Sequence, residues 1–259
     1  MRYKIRLSYD GSAFCGWQIQ NNARTVQGEI EDALAKLFGV QVPVTGAGRT
    51  DTGVNAINYI AHFDCLDTPA LEAEQICYKL NAILPHEIAV HEVCEACPEF
   101  HARFDAQSRE YKYFIHFQKD PFCEKTSYRM RYPLDIERMN KAASLLLGTY
   151  DFSCFEKVGG NNKTSICTIS EASWQTYCPA HCSMMGLPCQ EGNYIVFTIK
   201  ADRFLRNMVR AIVGSLIEVG RGKKDPEWIT ELIASGNRSD AGGSVPGKAL
   251  FFCGATYSK

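Results

Sequence analysis

The amino-acid sequence predicts an α+β fold in which helices pack on a mainly antiparallel sheet. Segments that alternate apolar and polar residues, as half-buried strands do, recur from residues 2–9 to residues 250–257. Between them lie stretches whose apolar residues recur at the spacing of an amphipathic helix. The chain has 259 residues, of which 46% are apolar, so it can bury a sizeable core as one large domain or as two smaller halves.

The first half of the chain is predicted to form one α+β unit. Thr25 is a suitable N-cap for a helix whose apolar face starts at Val26. A second helix is expected from about Leu71 to Leu84. The expected strands are residues 2–9, the segment through Val42 and Val44, residues 57–63 and residues 87–94. Helices in this order are typical of a unit whose helices cover an antiparallel sheet.

The second half is predicted to repeat this alternation. Its expected strands are 111–117, 165–174, 194–201 and 250–257, and its expected helices are 135–147, 206–219 and 226–234. The cysteine-rich stretch 177–191 is interpreted as an inserted hairpin loop. The predicted division is therefore an N-terminal half at residues 1–104 and a C-terminal half at residues 105–259.

Charge is almost balanced over the whole chain, with 28 basic and 29 acidic residues. This balance argues against a protein that coats nucleic acid through bulk charge. A local basic segment runs from Arg203 to Lys224, where the only acidic residue among several arginines and lysines is Glu218. Such a segment fits either phosphate recognition or the solvated face of a helix.

The sequence contains no apolar run of about 18 residues, which is the length that a membrane-spanning helix needs. The N-terminal residues alternate charged and apolar side chains like a strand and do not resemble the apolar core of a signal peptide. We therefore expect a cytoplasmic protein with no membrane segment.

The 12 cysteines are scattered along the chain, which favours reduced thiols in a mid-sized protein without a secretion signal. Two clusters have part of the spacing of a metal site. Cys94 and Cys97 are spaced like a zinc half-site, and the remaining ligands could come from Cys178, His181, Cys182 and Cys189. The gap in the second cluster is wrong for a zinc knuckle, so the sequence predicts buried or inert thiols and no bound metal.

A polar loop between two predicted strands displays a single carboxylate, that of Asp51, between glycine-rich turns. Glycines at positions 46, 48 and 53 permit backbone angles that other residues avoid, and they let a ligand approach closely. An aspartate in such a loop commonly does no more than cap the turn. The other interpretation is a catalytic carboxylate.

The sequence of this loop resembles the catalytic loop of the tRNA pseudouridine synthase A family. Other segments are similar to further motifs of that family and follow in the same order. The matching segments are Tyr9–Gln18, Arg49–Val54, Phe100–Phe104 with Arg109–Tyr113, and Phe204–Arg210 with Gly214–Leu216. One difference is visible, because Asn55 stands where members of the family usually carry His.

The resemblance implies two ferredoxin-like halves that share one mainly antiparallel sheet, with the active site in a central cleft. It also implies an isomerase that converts uridine to pseudouridine at positions 38, 39 and 40 in the anticodon stem-loop of tRNA. Such an enzyme acts as a homodimer and needs no cofactor. Asp51 would be the nucleophile on C1′ of the ribose, or a base and electrostatic stabiliser, and the sequence leaves both routes open.

The resemblance assigns roles to residues in the other motifs as well. Tyr111, which a strand would otherwise bury as a core aromatic, is expected to stack on the uracil. Arg210 lies about 40° from Arg206 on the predicted helix, at the edge of the buried stripe, where a guanidinium needs an anion. It is expected to be the ion-pair partner of Asp51. Further contacts to RNA are expected from Arg49, His101, Arg103 and Arg206.

Two other functions fit parts of the sequence. Asp51-Thr52-Gly53 is also the active triplet of aspartic proteases, which need two such triplets, and Asp240-Ala241-Gly242 is a poor second copy. Ferredoxin-like halves also occur in RNA-binding modules without catalytic activity. Release of tritium from C5-labelled uridine in tRNA would distinguish the three, because only the isomerase releases it.

Overall fold

A computed structural model describes residues 1–65, 71–157, 159 and 163–258. The chain forms two compact units. The first unit contains residues 1–109 and the C-terminal strand from Phe251 onward, and the second contains residues 110–250. The C-terminal strand lies in the first unit because it pairs with a strand there, whereas the sequence-based division placed it in the second half.

The described residues form ten strands and six α-helices. The strands are β1 (Arg2–Tyr9), β2 (Val44–Gly46), β3 (Asn55–Asp64), β4 (Ile88–Ala96), β5 (Ala106–His116), β6 (Tyr128–Arg129), β7 (Gly148–Asp151), β8 (Ile166–Thr176), β9 (Tyr194–Ala201) and β10 (Leu250–Tyr257). The helices are α1 (Val26–Phe38), α2 (Ala73–Ile83), α3 (Ile136–Ser144), α4 (Ala180–Met185), α5 (Met208–Gly220) and α6 (Trp228–Ser235).

In the first unit, β1 pairs antiparallel with both β3 and β4. β2 is antiparallel to β3, and β10 is parallel to it. Along β1, Tyr3, Ile5 and Leu7 are buried while the residues between them are half-buried, as expected for a strand with one face on the core. Ile30 and Leu34 of α1 are fully buried, and α2 packs on β4, so both helices contribute to the core of this unit.

In the second unit, β8 pairs antiparallel with β7 and β9, and β9 lies beside β5. α3 packs on β8 and on α5. α5 is buried on nearly all sides, because every one of its residues except Arg210 and Glu218 is buried. It is therefore the central helix of this unit. Arg210 is the basic residue of this otherwise mostly buried helix.

The predicted α+β fold with a mainly antiparallel sheet is confirmed. Thr25 caps α1 as expected, since its side-chain oxygen accepts a hydrogen bond from the Gly28 N–H at 3.3 Å. The predicted strand at 194–201 has the bounds of β9. Among the described residues, none of the helices is both long and apolar enough to span a bilayer.

Two interpretations of the second half are wrong. α5 begins at Met208 because Asn207 has a left-handed backbone with φ of 64°, so the angle of about 40° predicted between Arg206 and Arg210 does not apply. The stretch 177–191 is not simply a loop, since it contains α4, which ends at the left-handed Gly186.

Candidate active site

The loop between β2 and β3 carries Asp51 and begins against buried aromatic rings. A Cβ on Gly46, the last residue of β2, would lie 2.2 Å from the hydroxyl oxygen of Tyr59 and 2.6 Å from the ring of Trp17. The Tyr59 hydroxyl donates a hydrogen bond to the carbonyl oxygen of Gly48. Gly46 therefore allows the rings to approach the backbone, and the start of the loop is fixed.

The turn that follows β1 packs against the backbone on both sides of Asp51. Gly16 has a φ of 89°, and a Cβ there would lie 2.3 Å from the carbonyl oxygen of Thr50. On the other side, the Gly53 N–H donates a hydrogen bond to the carbonyl oxygen of Phe14 at 3.3 Å. The peptide that carries the carboxylate is thus held by backbone contacts that need glycine at position 16.

Asp51 itself is half-buried. Its carbonyl oxygen accepts a hydrogen bond from the Val54 N–H at 3.1 Å, which closes a β-turn. Just before it, the buried hydroxyls of Tyr9 and Thr50 share a hydrogen bond of 2.9 Å. These bonds hold the backbone at Asp51 in one position relative to the strands on either side.

Asn55 follows the loop at the start of β3 and is buried. Its side-chain oxygen accepts a hydrogen bond from the Gly11 N–H at 2.9 Å. A Cβ on Gly11 would lie 2.1 Å from the carbonyl oxygen of Val54, so the two segments touch backbone to backbone. Asn55 therefore joins the loop to the turn after β1.

Arg49 lies near the start of the loop and is exposed. Its Nε donates a hydrogen bond to Oε1 of Gln18 at 3.3 Å, and Nε2 of Gln18 donates to Oε1 of Gln27 at 2.9 Å. This surface chain of hydrogen bonds orients the guanidinium without burying it, so Arg49 is placed where a phosphate can reach it.

Arg109, at the end of the first unit, connects the Asp51 loop to the next motif. Its Nη1 donates to the carbonyl oxygen of Ala106 at 2.7 Å, and its Nη2 donates to those of Ala47, at 3.3 Å, and Arg103. The sequence placed Arg109 in a motif but predicted no role for it. The planar fork of donors explains why an arginine suits this position.

His101 organises an exposed turn in the same motif. Its Nδ1 accepts hydrogen bonds from the N–H groups of Arg103 and Phe104, both at 3.2 Å, so its proton is assigned to Nε2. Its ring lies 4.2 Å from that of Phe104, and the guanidinium of Arg103 lies 5.8 Å from the same ring. Arg103 and Phe104 are exposed and form a cationic and aromatic surface.

His62, which the sequence did not single out, supports this turn from below. It is buried, and its Nδ1 accepts a hydrogen bond from the Ala102 N–H at 3.1 Å. Burial and, to a smaller extent, the charge of the nearby Arg2 together lower the pKa of His62 to about 4. His62 is therefore neutral at pH 7, which the acceptor role of Nδ1 requires.

Tyr111 lies on β5 in the second unit and is buried. Its ring meets that of Phe204 edge to face, with centroids 5.1 Å apart. Tyr113 and Ile115 are buried on the same face of the strand, as the alternation predicted. Phe204 lies just before α5, so Tyr111 links the middle of the unit to the start of that helix.

Arg210 is half-buried on α5 and is tied to the segment that precedes β10. Its Nε donates a hydrogen bond to the carbonyl oxygen of Val245 at 2.7 Å, and the Val245 N–H donates to its carbonyl oxygen at 3.2 Å. A Cβ on Gly214 would lie 1.8 Å from the carbonyl oxygen of Gly243, so the segment lies directly on the helix. The plane of the guanidinium is therefore fixed.

Tyr113 brings the parts of the second unit together. Its hydroxyl donates a hydrogen bond to the carbonyl oxygen of Pro246 at 3.1 Å, next to the residue that binds Arg210. Burial raises the pKa of Tyr113, while the charge of Arg210 acts in the opposite direction. Tyr113 and Arg210 thus bind neighbouring carbonyl groups of the segment that precedes β10.

The basic residues around α5 form two groups. Arg206 is exposed and precedes the helix, whereas Lys223 follows its other end. Since α5 has 13 residues, the groups are roughly 20 Å apart along its axis. Glu218 pairs with both Arg221, at 3.3 Å, and Lys223, at 3.0 Å, so the second group is partly neutralised.

The candidate site residues are distributed over the two units. The first unit holds Arg49, Asp51, His101 and Arg103, and the second holds Tyr111, Arg206 and Arg210. The ion pair between Asp51 and Arg210 stays a prediction. Within the described part of the chain, side chains that could hold a metal ion converge at Asp120, Cys123 and His181, which are not among the predicted catalytic or RNA-binding residues.

Comparison with known proteins adds independent findings. A family model described as tRNA pseudouridine synthase matches residues 6–105 and 142–258. The chain is 48% identical over 256 residues to tRNA pseudouridine synthase A of Parabacteroides distasonis, with 99% of this chain and 96% of the relative covered. It is 46% identical over 257 residues to the protein of the same name from Bacteroides fragilis, with the same shares covered. The protein of that name from Halalkalibacterium halodurans is 39% identical over 253 residues, covering 96% of this chain and 90% of the relative.

Proposed function

The chain belongs to the tRNA pseudouridine synthase family, and from this premise we propose that it isomerises uridine to pseudouridine at positions 38, 39 and 40 of the tRNA anticodon stem-loop. The reaction breaks the C1′–N1 bond, turns the uracil and joins C5 to C1′. The proton on C5 is lost and N1 gains one, so the reaction has no net redox change. The proposal includes no cofactor.

The observation that supports this proposal best is the fixed position of Asp51. A carboxylate is the group that can attack C1′ as a nucleophile or stabilise positive charge that develops there. The backbone on both sides of Asp51 is held by contacts with glycine residues of the turn after β1. Such rigid placement is what a reaction at a single carbon atom requires. We assign Asp51 as the nucleophile.

Tyr111 is proposed to stack on the uracil while the base is detached. Its ring is already oriented by the edge-to-face contact with Phe204, so little side-chain freedom remains to be lost when a base binds. A base outside its helix is usually held by aromatic stacking of this kind. The hydroxyl of Tyr111 is a candidate for moving the C5 proton.

Arg210 is proposed to be the ion-pair partner of Asp51. It is one of two residues on α5 that are not buried, and Val245 fixes the orientation of its guanidinium. The planar fork of a guanidinium can donate two parallel hydrogen bonds to a carboxylate and hold it in one orientation.

RNA is proposed to contact the exposed basic side chains outside the reacting centre. Arg49, His101 and Arg103 supply this surface in the first unit, and Arg206 supplies it in the second. Because the net charge of the chain is −1, binding depends on these local groups and not on bulk charge. We also propose that the protein acts as a homodimer in the cytoplasm.

The test is tritium release from C5-labelled uridine in tRNA by Asp51→Asn. The amide keeps the shape of the side chain and removes its charge, so we expect turnover below about a tenth of wild type, with tRNA affinity retained; a tenfold loss corresponds to ~1.4 kcal/mol in the barrier. Asp32→Asn, an exposed aspartate on α1, is the matched control and should behave as wild type.

The same assay separates this function from its alternatives. An RNA-binding module or an aspartic protease would release no tritium with the wild-type chain. More than a tenth of wild-type turnover in Asp51→Asn would remove Asp51 from the chemistry while leaving the isomerase activity in place.

A further inference from the structure

Three side chains with metal-binding chemistry converge in the second unit although they are far apart in sequence. They are Asp120 and Cys123, between β5 and β6, and His181 on α4. One ligand atom from each lies within 4.8 Å of the others, and His181 Nε2 is 3.2 Å from Asp120 Oδ2. Neighbouring ligand atoms of a tetrahedral zinc ion are roughly 3.4–3.6 Å apart, from bond lengths of about 2.0–2.3 Å. The cluster is therefore close to the size of a zinc site.

We propose that Asp120, Cys123 and His181 bind a zinc ion, with water as the fourth ligand. One oxygen, one sulfur and one imidazole nitrogen form a mixed set that suits zinc better than magnesium or calcium, which prefer oxygen ligands throughout. A thiolate and a carboxylate together balance the charge of the divalent ion. This site lies outside the proposed catalytic residues and does not depend on the proposed function.

The surroundings of Asp120 support a ligating role. The carboxylate is buried, and its Oδ2 accepts a hydrogen bond from the Tyr194 hydroxyl at 2.9 Å. Its Oδ1 accepts the Phe122 N–H at 2.9 Å. Donors of this kind hold a ligating carboxylate in one orientation, and they are found around most protein metal sites. Cys123 is also buried, so two of the three ligands are withdrawn from solvent.

Helix α4 provides a separate argument for an ion. It has six residues, none of which is buried, and Met184 and Met185 are largely exposed. A helix this short is not stable by itself, and it normally depends on an apolar face packed against the protein. α4 lacks such a face. A zinc ion that joins His181 to Asp120 and Cys123 would anchor the helix to the segment between β5 and β6.

This inference departs from the sequence-based prediction that no metal is bound. That prediction rested on the spacing of Cys94 and Cys97 together with Cys178, His181, Cys182 and Cys189. Asp120 and Cys123 belong to neither group, because the fold and not the local sequence brings them to His181. Of these six residues, only His181 belongs to the cluster.

The first experiment measures zinc stoichiometry. The full-length protein is stripped with a chelator, reloaded with excess zinc, desalted and analysed by mass spectrometry for metal. We expect about one zinc per chain in the wild type and less than about a tenth of that in Cys123→Ser and in His181→Ala. Cys182→Ser is the matched control, since its thiol is next to His181 but outside the cluster, and it should keep the ion.

The outcomes discriminate clearly. Zinc no higher in the reloaded wild type than in Cys123→Ser overturns the site, and equal loss in Cys182→Ser overturns the ligand assignment. Circular dichroism confirms that each variant is folded. Substitution with cobalt gives a second readout, because a thiolate-to-cobalt charge-transfer band should be present in the wild type and absent in Cys123→Ser.

The anchoring role is tested by limited proteolysis of the chain around Met184 and Met185. Zinc should slow cleavage there at least about fivefold in the wild type and leave the rate in His181→Ala unchanged. Equal cleavage rates with and without zinc in the wild type would overturn the anchoring role. Asp51→Asn should bind zinc like the wild type, so failure of the proposed activity and failure of the metal site are distinguishable.

Discussion

The side-chain oxygen of Asn55 accepts the backbone N–H of Gly11 at 2.9 Å, and this buried bond joins the Asp51 loop to the turn after β1. The resemblance of the motif led to the expectation of a His at this position, and the bond shows what the asparagine does there. Asparagine and histidine both offer an acceptor to a backbone N–H. We infer that position 55 holds the turn and does not take part in the chemistry.

We therefore expect Asn55→Ala to lower the free energy of unfolding by about 1–3 kcal/mol, because the Gly11 N–H loses a buried acceptor. Turnover should fall with it, since the turn supports the loop. Denaturant unfolding and tritium release measure the two effects. Asn55→His should restore most of both, and a His variant as damaged as the Ala variant would contradict the inference.

His62 predicts a pH dependence of stability. Burial, followed by repulsion from Arg2, lowers its pKa to about 4 in the folded protein, against about 6.5 when unfolded. The unfolded chain then binds a proton more readily, so the stability that His62 contributes is complete above about pH 6.5 and is lost as pH falls towards 4. The loss amounts to roughly 3–4 kcal/mol at most.

The measurement is the free energy of unfolding between pH 7 and pH 4 for the wild type and His62→Asn. The asparagine oxygen can accept the Ala102 N–H but does not titrate, so the variant should show a flatter profile. His91→Asn, an exposed histidine on β4, should leave the profile unchanged. A parallel profile for His62→Asn and the wild type would rule out His62 as the source.

Arg109 should be sensitive even to a conservative change. Its guanidinium donates to the carbonyl oxygens of three residues, one of which, Ala47, lies in the Asp51 loop. A lysine keeps the charge but cannot reproduce the planar fork. We expect Arg109→Lys to lower stability by about 1–3 kcal/mol and turnover at least about fivefold.

The control is Arg6→Ala, which removes an exposed ion pair with Glu92 on neighbouring strands and should change stability by less than about 1 kcal/mol. Wild-type turnover and stability in Arg109→Lys would show that charge alone, and not the fork geometry, matters at this position.

Much of the fold followed from local patterns, and the exceptions have physical causes. Thr25, which precedes an apolar helical stripe, correctly predicted the start of α1. The alternation of apolar and polar residues correctly predicted the bounds of β9. The start of α5 was misplaced because its apolar pattern continues past Asn207, whose left-handed backbone breaks the helix. The spacing of apolar residues does not reveal a single residue whose backbone angles interrupt the helix.

In the candidate site, too, some features could be predicted from the sequence and others could not. The glycine-framed loop around Asp51 was visible in the sequence because glycine marks close backbone approach. The supporting residues were not visible, since His62 contacts the backbone of Ala102, 40 positions away, and Arg109 reaches the loop through Ala47, 62 positions away. Nothing in the neighbouring sequence of a histidine or arginine indicates such a partner, so they could be found only from the fold.

Tyr111 should separate binding from chemistry. Tyr111→Phe keeps the ring and its contact with Phe204, so tRNA affinity should stay within about twofold of wild type while turnover falls. Tyr111→Ala removes the ring and should cost about 1–3 kcal/mol of affinity. Filter binding and tritium release measure the pair. Tyr150→Phe, an exposed tyrosine on β7, is the control, and a wild-type rate for Tyr111→Phe would limit Tyr111 to packing.

The salt dependence of tRNA binding should distinguish phosphate contacts from the catalytic arginine. Each phosphate contact that is lost lowers the slope of log affinity against log salt by roughly 1. Arg206 is exposed, so Arg206→Ala should have this full effect. Lys223 is already paired with Glu218 at 3.0 Å, so Lys223→Ala should change the slope less.

Arg210→Ala should affect turnover and leave the salt dependence of tRNA binding almost unchanged. Its guanidinium is fixed by Val245 and is proposed to serve Asp51, so the salt slope should stay near that of wild type while turnover falls at least about a hundredfold. The test is to titrate Arg206→Ala, Lys223→Ala and Arg210→Ala with one tRNA over a range of salt concentrations and to measure tritium release in parallel. Equal slope changes in all three would show that Arg210 binds phosphate like the others, because an arginine engaged with a carboxylate of its own protein releases no counterion from RNA.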